Sequence, residues 1–145
     1  MDNTQMQQLV DAVLGSLFVE LEASGRHVHV TKEQAQILFG HPLTPKRPLS
    51  QLGQFLARER LTVIGPKGKL EHVAVLGPER GDTQVELSLT DARSLGLKPP
   101  IRLSGDLSGA CDVIIVGPKG VVTAKGSVIV AKAHIHMTPQ DARDY

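Results

Sequence analysis

Residues 26–31 have the sequence RHVHVT, and residues 134–138 have the related sequence HIHMT. Histidine alternates with an apolar residue in both stretches, and successive side chains of an extended strand point to opposite faces. The two histidines of each stretch should therefore share one face. They are His27 and His29 in the first stretch and His134 and His136 in the second. A single pair is more often a packing or surface feature, but two pairs in the same local setting predict a metal site.

A helix start follows each pair of histidines. Thr31 and Gln34 have the spacing of a capping box, which predicts a short helix over residues 32–39 that is closed by the following glycine. Residues 138–139 (TP) form a similar start with proline at the first helical position, and the predicted helix runs over residues 140–145. Strand, histidine pair and capped helix are thus predicted twice.

The composition indicates one soluble domain with an aliphatic core. The chain has 145 residues, of which 41% are hydrophobic and only 3% aromatic, and its formal net charge is +1. Scarce aromatic residues and scattered basic residues argue against nucleic-acid binding. No apolar run approaches the ~20 residues of a membrane span, and no secretory signal is recognisable. We therefore expect a cytoplasmic protein with no nucleic-acid or membrane partner.

The first 18 residues predict an amphipathic helix. Its apolar residues recur at spacings of three and four, as in a helix with one apolar stripe. They are Met6, Leu9, Val10, Val13, Leu14 and Leu17. The helix either packs on its own domain or docks on another protein. Residues 18–23 alternate in polarity and predict a strand that leads to the first histidine pair.

The middle of the chain predicts short strands joined by tight turns. The sequence GPKG occurs at residues 65–68 and 117–120, each time between two apolar strands, which indicates a repeated hairpin rather than a phosphate-binding loop. Residues 41–48 contain three prolines and predict a loop. The predicted fold is mainly β: a small β-barrel with short capping helices, plus the first strand and helix start of a second barrel.

Zinc is the first metal expected at the histidines, ahead of iron, cobalt or nickel, because imidazoles without a thiolate partner favour it. One or two further ligands are needed. Glu86 is the best candidate, since it stands among apolar neighbours in a predicted strand; the alternative is that it faces solvent on the polar side of that strand. Arg80 could bind an anion through two hydrogen bonds, or it could be an ordinary solvated loop residue.

Five segments together resemble the PduL-type phosphate propanoyltransferases, which are phosphotransacylases of bacterial microcompartments. They are residues 24–31, 76–78, 84–88, 103–105 and 134–139. The similarity covers residues 18–145. The resemblance implies two β-barrels capped by short helices, with two zinc ions between them. It also implies the reversible conversion of acyl-CoA, propanoyl-CoA in particular, and phosphate into acyl phosphate and free CoA.

The resemblance also assigns ligands to the two zinc ions. His27, His29 and Glu86 would hold one ion, and His134 and His136 would contribute to the other. Two zinc ions can neutralise phosphate and stabilise the charge that develops when phosphate attacks a thioester, so a protein nucleophile is not required.

Two further residues would be catalytic by resemblance. Arg80 would bind the phosphate, and Ser104 would lie beside the metals. The amphipathic segment 1–18 looks like an encapsulation peptide, which implies shell or lumen proteins as partners and a location in the microcompartment lumen or the cytoplasm. A homo-oligomer is a further possibility.

The predicted domains are residues 1–18 (helix), 19–132 (β-barrel) and 133–145 (start of a second, truncated barrel). Relative to the family pattern, we expect a further histidine ligand and most of the second barrel to be missing, and Ala133 replaces a usual arginine. Two other functions therefore stay open: a non-catalytic microcompartment binding or assembly module, and a metal-dependent hydrolase that uses the same histidines.

Overall fold

The computed structural model describes residues 2–17, 25–137 and 140–144. Four helices and eight strands occur along these ranges. They are α1 (Asn3–Leu17), β1 (His27–His29), α2 (Lys32–Phe39), β2 (Pro45–Pro48), β3 (Phe55–Ile64), β4 (Lys69–Gly77), β5 (Gln84–Glu86), α3 (Leu89–Ser94), β6 (Ile101–Arg102), β7 (Cys111–Val116), β8 (Val121–Ala131) and α4 (Asp141–Asp144).

Six of the strands close into a barrel, as the sequence predicted. The order around it is β3, β4, β1, β5, β8 and β7, and β7 pairs back with β3. Strand β2 extends the sheet beside β3, and β6 extends it beside β8. The interior is filled by aliphatic side chains such as Val28, Val63, Val75, Val85 and Ile115, all of which are fully buried. Closure leaves few strand edges open to solvent.

The two GPKG sequences form matching hairpin turns. Gly65 and Gly117 each donate a backbone hydrogen bond of 2.9 Å to the last glycine of their turn. Each turn also contacts the end of a helix. The backbone N–H of Lys67 donates to the carbonyl of Leu95, and that of Lys119 donates to the carbonyl of Leu38, both at 3.0 Å. A Cβ atom on Gly65 or Gly117 would collide with those carbonyl oxygens. The hairpin interpretation is therefore correct, and glycine is required by close approach.

The barrel consists of two similar halves that meet at β1 and β5. In each half a three-residue strand leads to a capped helix, with Thr31 as N-cap of α2 and Ser88 as N-cap of α3. The predicted capping box of Thr31 and Gln34 is present. Because β1 and β5 pair directly in antiparallel register, side chains from the two halves share one face of the sheet.

The apolar stripe of helix α1 is exposed to solvent. Leu9 is 51% and Leu14 49% solvent-accessible, so the predicted helix is present but its stripe is not buried against the barrel. The predicted strand over residues 18–23 lies outside the described residues. In the part of the chain that is described, no helix is both long enough and apolar enough to cross a membrane.

Two local predictions differ from the structure. The loop predicted over residues 41–48 contains the short edge strand β2, whose prolines are tolerated because an edge strand need not donate on its outer side. The second histidine pair follows the end of β8, where residues 132–137 form no strand. Residues 138–139 lie outside the described ranges, and the short helix α4 follows them.

Candidate metal centre

Strand register brings the first histidine pair together with Glu86. His27 lies opposite Glu86 in the ladder between β1 and β5, and His29 lies opposite Gln84. The possible ligand atoms of His27, His29 and Glu86 all lie within 4.8 Å of one another. Glu86 is only 7% exposed, so it does not face solvent. Two histidines and a carboxylate with converging ligand atoms can hold a divalent cation.

The hydrogen bonding of His27 prepares one of its ring nitrogens for a cation. Its Nδ1 lies 2.9 Å from the carbonyl oxygen of Gly25, and a carbonyl can only accept, so Nδ1 carries the proton. The lone pair of a neutral ring is then on Nε2, which lies 3.5 Å from Oε1 of Glu86. A lone pair and a carboxylate at that distance repel unless a proton or a cation lies between them. Metal-bound histidines are oriented in the same way by an acceptor at the other nitrogen.

His29 is buried without a complete set of partners. Its Nδ1 atom has no hydrogen-bond partner among the described residues. Burial, together with the positive charges of Arg80 and His27, lowers the pKa of His29 to about 3, which keeps the ring neutral near pH 7. A neutral imidazole with an unpaired buried nitrogen fits a metal ligand.

Glu86 is ionised despite its burial. Burial raises the pKa of Glu86, but the hydrogen bond and charge of His27, the charge that His29 takes on at low pH and a hydrogen bond from Ser104 together lower it to about 2. An ionised carboxylate is therefore available to a cation. Burial also lowers the pKa of the Arg80 guanidinium, while the charge of Glu86 opposes that shift.

Arg80 and Ser104 lie beside this cluster. The backbone N–H of Arg80 donates to the carbonyl of Val30 at 3.0 Å, which fixes the loop after β4 against the end of β1. Its guanidinium donates to Oγ of Ser104 at 3.3 Å. The sequence analysis did not identify Gln84, whose amide nitrogen lies 2.6 Å from Glu86 Oε1 and 2.8 Å from Ser104 Oγ.

The second histidine pair repeats the geometry of the first. The rings of His134 and His136 are T-shaped at 88° with centroids 4.6 Å apart, and those of the first pair are at 88° and 5.1 Å. Nδ1 of His134 lies 2.6 Å from the carbonyl of Lys132, two residues earlier, just as in the first pair. The two Nε2 atoms are 2.9 Å apart, so a proton or a cation must lie between them. Both residues are exposed.

One pocket of about 620 Å³ joins the two pairs. All seven residues singled out from the sequence line it: His27, His29, Arg80, Glu86, Ser104, His134 and His136. The pocket also contains Arg26, which pairs with Asp91 at 2.8 Å, and Arg47. Histidines from distant parts of the chain therefore converge on one cavity that has cationic walls. Such a cavity suits a metal-bound oxyanion.

The chain is similar to proteins of one family. A family model described as phosphate propanoyltransferase matches residues 20–145. A phosphate propanoyltransferase of Clostridioides difficile (strain 630) is 48% identical over 145 residues, which are 99% of this chain and 69% of that protein. A phosphate propanoyltransferase of Thermotoga maritima is 52% identical over 124 residues, which are 84% of this chain and 59% of that protein. A phosphate propanoyltransferase of Leptotrichia buccalis is 53% identical over 142 residues, which are 96% of this chain and 66% of that protein.

Proposed function

The chain belongs to the phosphate propanoyltransferase family, and from this we propose that it provides the site at which an acyl group passes between coenzyme A and inorganic phosphate. The observation that supports this most is the convergence of both histidine pairs and Arg80 on one pocket. Because the chain spans 59% of the Thermotoga maritima relative and 69% of the Clostridioides difficile relative, activity of this chain belongs to the proposal as well.

Zinc is the metal that we propose for the histidines. The donor set of two imidazoles and one carboxylate, with no thiolate, fits zinc, and the unpaired Nδ1 of His29 supports the presence of a ligand there. His27, His29 and Glu86 would hold one ion, while His134 and His136 would hold part of a second. Zinc bound there would supply positive charge for the phosphate and for the oxyanion of the reaction.

The residues of the chain would orient the two substrates. Arg80 would bind phosphate oxygens, and Ser104 would hold the guanidinium of Arg80 in place by accepting its hydrogen bond. A phosphate oxygen would then attack the carbonyl carbon of the thioester. A C–O bond forms, the C–S bond breaks, and the thiolate of coenzyme A leaves and takes up a proton, so that acyl phosphate and coenzyme A result. Holding phosphate and thioester in contact contributes much of the rate.

A short acyl chain suits the apolar part of the pocket. Leu56, Ala74 and Leu76 line the same cavity as the histidines. Ala74 pairs with His27 in the ladder between β4 and β1, so this apolar surface lies next to the candidate metal ligands. A propanoyl group would bury its methyl and methylene groups there, which supports propanoyl-CoA as the substrate.

Zinc content and product identity test the proposal. We expect about one or two zinc ions per chain by elemental analysis, and phosphate-dependent release of free thiol from propanoyl-CoA with formation of acyl phosphate. Arg80→Ala should abolish the phosphate-dependent release of thiol. The matched change Arg93→Ala, at an exposed arginine outside this pocket, should leave this release unchanged. Release of propanoate in place of acyl phosphate would identify a hydrolase instead. A zinc content well below one ion per chain would show that the proposed metal site does not exist.

We further propose that α1 docks on another protein of a bacterial microcompartment. The support is its exposed apolar stripe, in which Met6, Val10 and Val13 are also more than 40% accessible. Deletion of residues 1–18 should then abolish co-localisation of a fluorescent fusion with microcompartments, without a change in the rate of acyl transfer. Retained localisation would contradict docking. If the full chain localises but shows no transfer, it acts as an assembly module.

A further inference from the structure

Gln84 is a buried amide directly behind the pocket. It pairs with His29 in the ladder and is 3% exposed. It does not line the pocket, although its neighbours Glu86 and Ser104 do. A buried amide must satisfy two N–H donors and one carbonyl acceptor, so its partners show what the side chain holds in place.

Three hydrogen bonds use both ends of the Gln84 amide. The backbone N–H of Gly105 donates to its Oε1 at 2.7 Å. Because a backbone N–H can only donate, this contact fixes which end of the amide is oxygen. The nitrogen must then face the other side, where it donates to Oε1 of Glu86 at 2.6 Å and to Oγ of Ser104 at 2.8 Å.

These contacts leave the Ser104 hydroxyl as a donor. Its oxygen accepts from Gln84 and from the Arg80 guanidinium, at 2.8 and 3.3 Å. A hydroxyl oxygen has two acceptor positions, so both are occupied and its hydrogen is left to donate. The Glu86 carboxylate is the acceptor beside it. Arg80, Ser104, Gln84 and Glu86 therefore form one connected network.

We propose that Gln84 is a positioning residue that couples the metal ligand Glu86, through Ser104, to the anion-binding residue Arg80. This inference rests on the proposed function and assigns a role at the same site. The local sequence supports it: residues 84–88 (QVELS) match residues 27–31 (HVHVT) as a short strand followed by an N-cap. In this alignment Gln84 stands at the position of His27. Its amide donates hydrogen bonds, whereas an imidazole at that position could bind a cation.

Gln84→Met tests the coupling, because methionine keeps the length of the side chain and removes all three hydrogen bonds. Zinc affinity is measured by competition with a chromophoric chelator, and the affinity for inorganic phosphate by calorimetry on the zinc-loaded protein. We expect each affinity to fall about tenfold. In a Ser104→Ala background, Gln84→Met should still weaken zinc binding but should add little to the loss of phosphate affinity, because the route through Ser104 is already broken.

The control is Ser127→Ala, which removes another fully buried hydrogen bond, to the carbonyl of Ala124 at 2.9 Å, outside the pocket. It should lower stability and leave both affinities unchanged. If Gln84→Met does not fold, Gln84→Asn is used, since it keeps the amide but is one methylene too short. Unchanged zinc or phosphate affinity in a folded Gln84 variant, or an equal loss in Ser127→Ala, overturns the inference. Failure of the unaltered protein to bind zinc instead defeats the proposed function.

Discussion

His27 and Glu86 face each other directly across the antiparallel ladder of β1 and β5, and Nε2 of the histidine lies 3.5 Å from Oε1 of the carboxylate. The strands belong to different halves of the barrel. Any cation held by these two residues therefore joins the halves at the seam where they meet. Metal binding should then be linked to the folding of the whole barrel, because the site does not exist in the unfolded chain.

Glu86→Gln is predicted to weaken zinc binding more than the roughly 10–100-fold typical of changes in outer-shell partners. The substitution keeps the size of the side chain but removes the negative charge that the histidines stabilise. Competition with a chelator of known affinity measures the loss. Glu71→Gln, at an exposed glutamate whose partner is Lys69 at 2.8 Å, is the matched control and should bind zinc normally. Equal affinities for the two variants would argue against Glu86 as a ligand.

The metal-free protein should lose stability as the pH falls below about 6.5. The pKa of His29 falls from 6.5 to about 3 on folding, so between these values the unfolded chain binds a proton that the folded chain does not. The free energy of unfolding therefore rises with pH in this window, by up to about 1.4 kcal/mol per pH unit from this residue. The lowered pKa of Glu86, about 2, acts in the same direction below pH 4.5.

Urea titrations between pH 4 and 7.5 on chelator-treated protein measure this dependence. His29→Gln should flatten it, since the residue that takes up the proton on unfolding is gone. His72→Asn is the matched control at an exposed histidine in β4, where asparagine also tolerates the positive φ of 56°. A slope that is the same in His29→Gln as in the unaltered chain would contradict the burial of a neutral His29.

Signals between neighbouring residues were sufficient to predict much of this fold. The capping box of Thr31 and Gln34, the two GPKG turns and the alternation around His27 each depend on a few adjacent residues. The order of strands around the barrel depends on long-range pairs such as β3 with β7, which no local pattern encodes. Strand β2 was missed because the prolines indicated a loop, although at an edge their missing N–H groups cost little.

The residues of the candidate site were likewise predicted only in part from the sequence. Histidine and glutamate in an apolar setting are chemically conspicuous, so the sequence indicated them. Gln84 and Arg47 are polar residues of common types, and the three-dimensional contacts of Gln84 and the pocket position of Arg47 distinguish them. A comparison of residues 84–88 with residues 27–31 would have identified Gln84, because the two segments align from strand to N-cap without a gap.

Gly117→Ala and Gly65→Ala are each predicted to destabilise the barrel by about 1–3 kcal/mol, the usual cost of overpacking. A methyl group at either position would collide with the end of a helix, at the carbonyl of Leu38 or of Leu95. Urea unfolding of the two variants measures the loss. Gly81→Ala is the control, since a Cβ atom there meets nothing within 4 Å and its φ is not positive. Two glycine variants as stable as this control would show that the turns can move away from the helices.

Two classes of zinc affinity are predicted, because the two histidine pairs differ in their surroundings. His29 is 2% exposed and converges with a second histidine and a buried carboxylate. His134 and His136 are exposed, and among the described residues they belong to no group of three possible metal ligands. Burial among converging ligands excludes competing water, so the first site should bind more tightly. His136→Ala should remove the weaker class and leave the tighter one, and His29→Ala should do the reverse, as measured by titration with a strong and a weak zinc indicator. Loss of the tight class in His136→Ala would instead mean that one ion is shared by both pairs across the pocket that they line.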